Sequence, residues 1–139
     1  MSTAGPALAI PAIALLLYFL IPGVREQPWT SVRIAGVVVA VVGYVAVLVA
    51  RIQLGHSFSV RPQATELVVH GLYSRIRHPI YVFVDLMIFG LILALGLRWG
   101  LLILPVAAVA QIIQARRENR VLQAKFGQAY LDYRRQTWF

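Results

Sequence analysis

Two polar blocks interrupt an otherwise apolar chain. The first is "HGLYSRIRHPIY" at residues 70–81, and the second is "QIIQARRE" at residues 111–118. In the first block Pro79 directly follows His78, and proline suits the first turn of a helix because its missing N–H would be unpaired there anyway. His78 then lies beside backbone N–H groups that no helical carbonyl satisfies, a setting that attracts a carboxylate or phosphate. In the second block Glu118 offers a carboxylate that can receive an ammonium group. An amino-acid-like ligand, anionic at one end and cationic at the other, fits such a pair. The plainer reading is arginines snorkelling at a membrane boundary beside a helix start. Metal chemistry does not fit: His56, His70 and His78 are spaced by 14 and 8 residues, and the chain has no cysteine, so no common ligand pattern is met.

The elements that must position these blocks are membrane helices. The 139-residue chain is 60% hydrophobic and 13% charged, more apolar surface than a soluble domain of this length can hide. Four apolar segments, at residues 5–22, 34–50, 80–97 and 99–113, approach the ~20 residues needed to cross hydrocarbon. The last two read as a helical hairpin turning near Arg98. The first has no positive flank before it, so it reads as a retained helix rather than a cleaved signal. Pro11 and Pro105 are expected to kink their helices. Gly36, Ala40 and Gly43 give the second helix a small-residue face for close packing, and such helices also suit a homo-oligomer. Residues 112–135 read as the fourth helix leaving the membrane, a break near Gly127, and a short amphipathic helix. The expected fold is an all-α integral membrane protein: one domain over residues 1–139, about four transmembrane helices, a loop at 51–79 and a tail at 114–139.

Charge sets the orientation. Arg25, Arg33 and Arg98 fall on one side of the membrane, whereas the loop and tail together carry ten of the thirteen Lys and Arg residues. The positive-inside rule puts the loop, the tail and both termini in the cytoplasm, in a cell inner membrane. Both polar blocks then share one side. The net charge of +8 is explained by anionic headgroups. No basic stripe with interleaved aromatics points to nucleic acid. Asp85, the one ionisable residue within a span, is either a pathway residue or a protonated or hydrogen-bonded packing residue.

The motifs resemble a known family. "ELVVHGLYSRIRHPIY" at residues 66–81 resembles L-V-x-x-G-x-Y-x-x-x-R-H-P-x-Y, and "ENRVLQAKFGQAYLDY" at residues 118–133 resembles E-E-x-x-L-x-x-x-F-G-x-x-Y-x-x-Y. In this order, with a hairpin between them, they look like the isoprenylcysteine carboxyl methyltransferases and their phospholipid methyltransferase relatives, over residues 50–135. The resemblance implies an integral membrane enzyme that binds S-adenosylmethionine at the cytoplasmic face and takes a lipophilic acceptor from the bilayer. It implies cofactor contacts at Thr65, Glu66, Leu67, Val68, Tyr73, His78, Pro79, Ile80, Tyr81 and Glu118. Leu67 and Val68 would flank the adenine, and Tyr73 and Tyr81 would wall the pocket.

Two positions depart from the pattern. Asn119 stands where the motif has a second glutamate, and Gln114 stands where the carboxyl methyltransferases carry a substrate arginine. Arg117 lies on another helical face, about 300° from Gln114. Without that guanidinium, a carboxylate acceptor loses its counter-charge, and an amine or thiol fits as well. The catalytic set is then Gln114 or Arg117 to orient the acceptor, with Glu118, His78 or solvent to take a proton. Alternative readings are a small four-helix transporter coupled through Asp85, an NADPH-binding relative of the sterol reductases, and a non-catalytic subunit that keeps the methyltransferase fold.

Overall fold

The computed structural model describes residues 4–55 and 67–138, and all of its regular elements are helical. In order they are α1 (Ala4–Leu20), a single turn α2 (Pro22–Arg25), α3 (Ser31–Leu54), a 3-10 turn at Gly71–Ser74, α4 (Pro79–Leu95), a second 3-10 turn at Arg98–Leu102, α5 (Ile103–Phe126) and α6 (Gln128–Gln136). Two helical stretches, Ser31–Leu54 and Arg98–Phe126, are long and apolar enough to cross a membrane, while Ile10–Phe19 and Pro79–Leu95 are shorter apolar helices. The apolar side chains of α3 point outward: Val38, Val41, Val42 and Val45 are each more than half exposed. A core helix of a soluble protein would bury that stripe, whereas lipid accepts it.

α3 and α4 form the centre of the fold, and their contact rests on the absence of side chains. A Cβ at Gly36 would sit 2.6 Å from the Ala94 backbone nitrogen, and one at Gly43 would sit 2.7 Å from that of Met87. Facing them, a Cβ at Gly90 would collide with the Ala40 backbone. The expected small-residue face of Gly36, Ala40 and Gly43 is therefore the surface on which α4 lies, and close approach of the two backbones gives the dispersion contact that holds helices together in lipid.

Arg33 differs from the expectation of a headgroup charge. It is 3% exposed. Its Nε donates to the Ala94 carbonyl at 2.8 Å, while its terminal nitrogens donate to the Gln27 and Val24 carbonyls at 2.7 and 3.1 Å. The guanidinium also lies 4.8 Å from the centre of the Trp29 ring. The α4 C-terminus and the α1–α3 connection both expose carbonyls that no helical N–H can reach, and a planar five-donor group satisfies several at once. Arg33 thus ties the end of α4 to the start of α3.

The hairpin falls where expected. Gly96 caps α4 in the left-handed region at φ 69°, and α5 follows the Arg98–Leu102 turn. Pro105 does not kink the interior of α5 but lies in its first turn, where a missing N–H needs no partner. Pro11 lies within α1. α5 continues to Phe126, and the chain breaks at Gly127 with φ 52° before α6.

α6 folds back on the polar segment that precedes α4. The Tyr133 hydroxyl donates to the Tyr73 carbonyl at 2.7 Å, and the Trp138 N–H donates to the Arg75 carbonyl at 3.0 Å. Tyr130 and Tyr133, the apolar side of α6, are buried. The other end of the segment is held by α3: the Leu72 N–H donates to the Gln53 side chain at 2.8 Å. Residues 71–78 are thereby clamped between the end of α3 and the chain's last helix.

Candidate active site

α4 begins at Pro79 with His78 as its N-cap, as the Arg-His-Pro sequence predicts. His78 makes no side-chain cap bond; its ring turns instead toward α5. Nδ1 lies 3.3 Å from Glu118 Oε2, and Nε2 lies 2.9 Å from Asn119 Oδ1. One turn into α4, the Tyr81 hydroxyl donates to Glu118 Oε1 at 2.7 Å, and the His78 and Tyr81 rings stack with centroids 5.6 Å apart. From α5 itself the Gln114 amide donates to the same Oε1 at 3.3 Å. The Tyr130 hydroxyl of α6 completes the cluster, donating to Asn119 Oδ1 at 2.6 Å. Three helices thus converge on one carboxylate and its neighbouring amide.

The electrostatics follow from this arrangement. Burial by itself would raise the Glu118 pKa, but hydrogen bonds from His78 and Tyr81, the His78 charge and the Gln114 amide outweigh it, so the group is held below the usual carboxylate range. Glu118 is therefore an anion near neutral pH. The phenols behind it move the other way. Burial raises Tyr73, and the neighbouring Tyr133 and Glu118 add to this against Arg51. Tyr133 is pushed up to about 12, mainly by burial and then by Tyr130, with Arg77 opposing. Tyr130 is raised by burial against a hydrogen bond and charge from Arg77. All three remain neutral at neutral pH, and Tyr130 and Tyr133 act as hydrogen-bond donors.

The remaining expected site residues fall in three groups. Tyr73 and Pro79 are buried, while Leu67, Val68 and Ile80 are half-buried. Arg117 is exposed, and among the described residues no hydrogen bond or ion pair links it to the cluster. Thr65, Glu66 and His56 lie outside the described residues. Among the described residues no group of His, Cys, Asp and Glu could hold a metal ion.

The sequence reading missed what Asn119 and Tyr130 do. Asn119 was seen only as a departure from a glutamate. In the fold its amide oxygen meets both His78 and Tyr130, so it joins all three helices. The F-G-x-x-Y-x-x-Y spacing contains Tyr130, but its partner is eleven residues away across the Gly127 break, and spacing alone does not reveal that.

Below the cluster, the Gln111 amide donates to Asp85 Oδ1 at 2.9 Å, joining α4 to α5. Beside this pair a groove of about 450 Å³ opens between the two helices, lined by Val82, Asp85, Leu86, Phe89, Leu104, Pro105 and Ala108. An acid in a span costs roughly 2.5–3.5 kcal/mol on insertion scales. One interhelical hydrogen bond returns only about 0.6 kcal/mol on average. The pairing with Gln111 does not by itself offset the acid.

The cluster thus brings a helix start and a carboxylate together beside the stacked rings of His78 and Tyr81. The chain belongs to the phospholipid methyltransferase family, whose family model matches residues 31–129. Among solved structures it is similar to the eukaryotic intramembrane Ras methyltransferase, isoprenylcysteine carboxyl methyltransferase, with a TM-score of 0.65 and 24% identity over 99% of this chain. That likeness is one of fold, and the chain spans about half the length, 52%, of that protein. Comparison with curated proteins returns no match.

Proposed function

We propose that the chain is a single-domain, S-adenosylmethionine-dependent methyltransferase of the inner membrane, passing a methyl group to a lipophilic acceptor at the cytoplasmic face. The observation that carries this reading is the anionic Glu118 held by His78, Tyr81 and Gln114 at the start of α4. Family membership supports the reaction class.

The residues present fit the cofactor. It has an amino-acid end, an apolar adenosine and a positive sulfonium, and the site offers a carboxylate, a helix N-terminus and aromatic walls. When bound, it supplies an electrophilic methyl group. Glu118 would hold the ammonium, the N–H groups at the start of α4 would hold the carboxylate, and Tyr73 and Tyr81 would wall the pocket. Leu67, Val68, Pro79 and Ile80 supply apolar contact, with Thr65 and Glu66 contributing from the preceding segment. Gln114 or Arg117 orients the head of the acceptor. The chain's task is to align two reactants and exclude water rather than to create a strong electrophile. An acceptor that must lose a proton passes it to Glu118, to His78 or to solvent.

Calorimetry of the purified protein in detergent, titrated with S-adenosylhomocysteine and separately with NADPH, tests the reading. Saturable binding of the first and not the second is expected. Glu118→Ala and His78→Ala should each weaken it by about tenfold or more, which is about 1.4 kcal/mol. Unchanged affinity in both variants, or no binding by the folded protein, overturns the assignment.

A further inference from the structure

The groove between α4 and α5 continues the site rather than lying apart from it. Along α4, His78, the Tyr81–Val82 pair, Asp85 and Phe89 recur about once per turn, and along α5 Glu118, Gln114, Gln111, Ala108 and Leu104 recur every three or four residues. Both series are single helical faces. Asp85 is four residues beyond Tyr81, about 6 Å along the axis. Gln111 is seven residues before Glu118, about 10 Å along the axis. The two faces meet twice, at Tyr81–Glu118 and at Asp85–Gln111. Moving away from Glu118, the track runs from a polar cluster to one acid–amide pair and then to apolar walls.

The chemistry of the walls selects an occupant. Val82, Leu86, Phe89, Leu104, Pro105 and Ala108 suit a hydrocarbon body, and the volume of about 450 Å³ lies in the range of small-ligand pockets. Among the described residues that line it, the only ionisable one is Asp85. A carboxylate or phosphate head would meet another acid there and no guanidinium among the lining residues. An amine head pairs with the acid by sharing a proton, and Asp85 keeps that proton when the free nitrogen lone pair takes the methyl group.

We propose that Asp85, presented by Gln111, is the specificity-determining residue for the methyl acceptor, and that this acceptor is a compact lipophilic amine without a phosphate. The inference rests on the methyltransferase reading but addresses binding in the groove, which is measurable without the cofactor.

The test uses a dodecylamine with a diazirine on its chain, photo-crosslinked to the protein in lipid nanodiscs and mapped by mass spectrometry. Labelling is expected in the peptides holding residues 82–89 and 104–108. Unlabelled dodecylamine should compete at least tenfold better than dodecanoate or dodecylphosphocholine. Asp85→Asn keeps an acceptor for Gln111 and removes the charge, so it should erase that preference. Ala108→Phe fills the groove without touching the acid and should abolish labelling. Equal competition by the anionic and phosphate-bearing probes, or a preference that survives Asp85→Asn, overturns the proposal. Titrating S-adenosylhomocysteine into the same samples separates the two readings. Asp85-dependent labelling without homocysteine-nucleoside binding keeps the amine site and sinks the methyltransferase. Binding without such labelling does the reverse.

Discussion

Glu118 is where the chemistry of single residues is most exposed to experiment. Its pKa is lowered because His78, Tyr81 and Gln114 stabilise the anion more than burial penalises it. A carboxylate whose folded pKa lies below its unfolded value contributes stability that is fully present above the unfolded value and is lost as pH falls through the folded one. Glu118→Gln keeps the shape and an acceptor for Tyr81 but removes the charge. At pH 7 it should cost about 1.5 kcal/mol, the loss of a charge-assisted hydrogen bond. Thermal melts from pH 7 to pH 3 should show the wild-type advantage shrinking as pH falls below about 4.3, the ordinary glutamate value. An advantage that stays constant down to pH 3 would mean that the carboxylate is not held as an anion. The same melts bear on Asn119, whose amide has no charge to lose: Asn119→Ala should destabilise equally across the range.

At the scale of elements, the site depends on how closely α4 lies on α3. Gly90 has no room for a Cβ against the Ala40 backbone, and a backbone cannot swing aside as a side chain does. Gly90→Ala should push the helices apart at a cost of about 1–3 kcal/mol, the usual range for overpacking. Because α4 carries His78 and Tyr81, the same variant should weaken S-adenosylhomocysteine binding, although it touches no ligand. Val38→Ala, on the outward side of α3, should leave both the melting temperature and the binding unchanged. A Gly90→Ala protein with wild-type stability would refute the close packing. Much of this level was legible in the sequence. Pro79 announced the start of α4, Gly127 the break before α6, and Gly36, Ala40 and Gly43 the packing face, because each is a local steric signal. Arg33 was not legible: its charge pointed to a headgroup, and only the fold reveals the orphaned carbonyls of Val24, Gln27 and Ala94 that it satisfies. Pro105 misled because a helix start hidden in an apolar run has no polar cap to mark it. The convergence of α4 and α5 on Glu118 and Asn119 depends on pairings of 37 to 41 residues' separation, which motif order hints at but periodicity cannot supply.

For the whole molecule, the question is which side of the membrane the site faces. The cluster of His78, Glu118, Asn119 and Tyr130 lies at the end of the helices where α6 packs, and the Arg98–Leu102 turn joins α4 and α5 at their other ends. Of the thirteen Lys and Arg residues, nine of those described lie toward the cluster end. Arg33 is engaged with backbone carbonyls, so the opposite end has only Arg25 and Arg98 to offer headgroups, and the asymmetry that drives insertion is sharper than the raw count. The proposed nucleoside cofactor is made in the cytoplasm, so the proposal requires the site on that side. The chain contains no cysteine, so single cysteines can be placed without background. Trp99, 86% exposed in the hairpin turn, and Ala124, exposed near the end of α5, are suitable positions. In spheroplasts, a membrane-impermeant maleimide should label Trp99→Cys at once and Ala124→Cys only after lysis. The reverse pattern would place Glu118 outside the cell, away from any supply of S-adenosylmethionine, and would remove the basis for a methyltransferase even if the pocket bound its ligand in detergent.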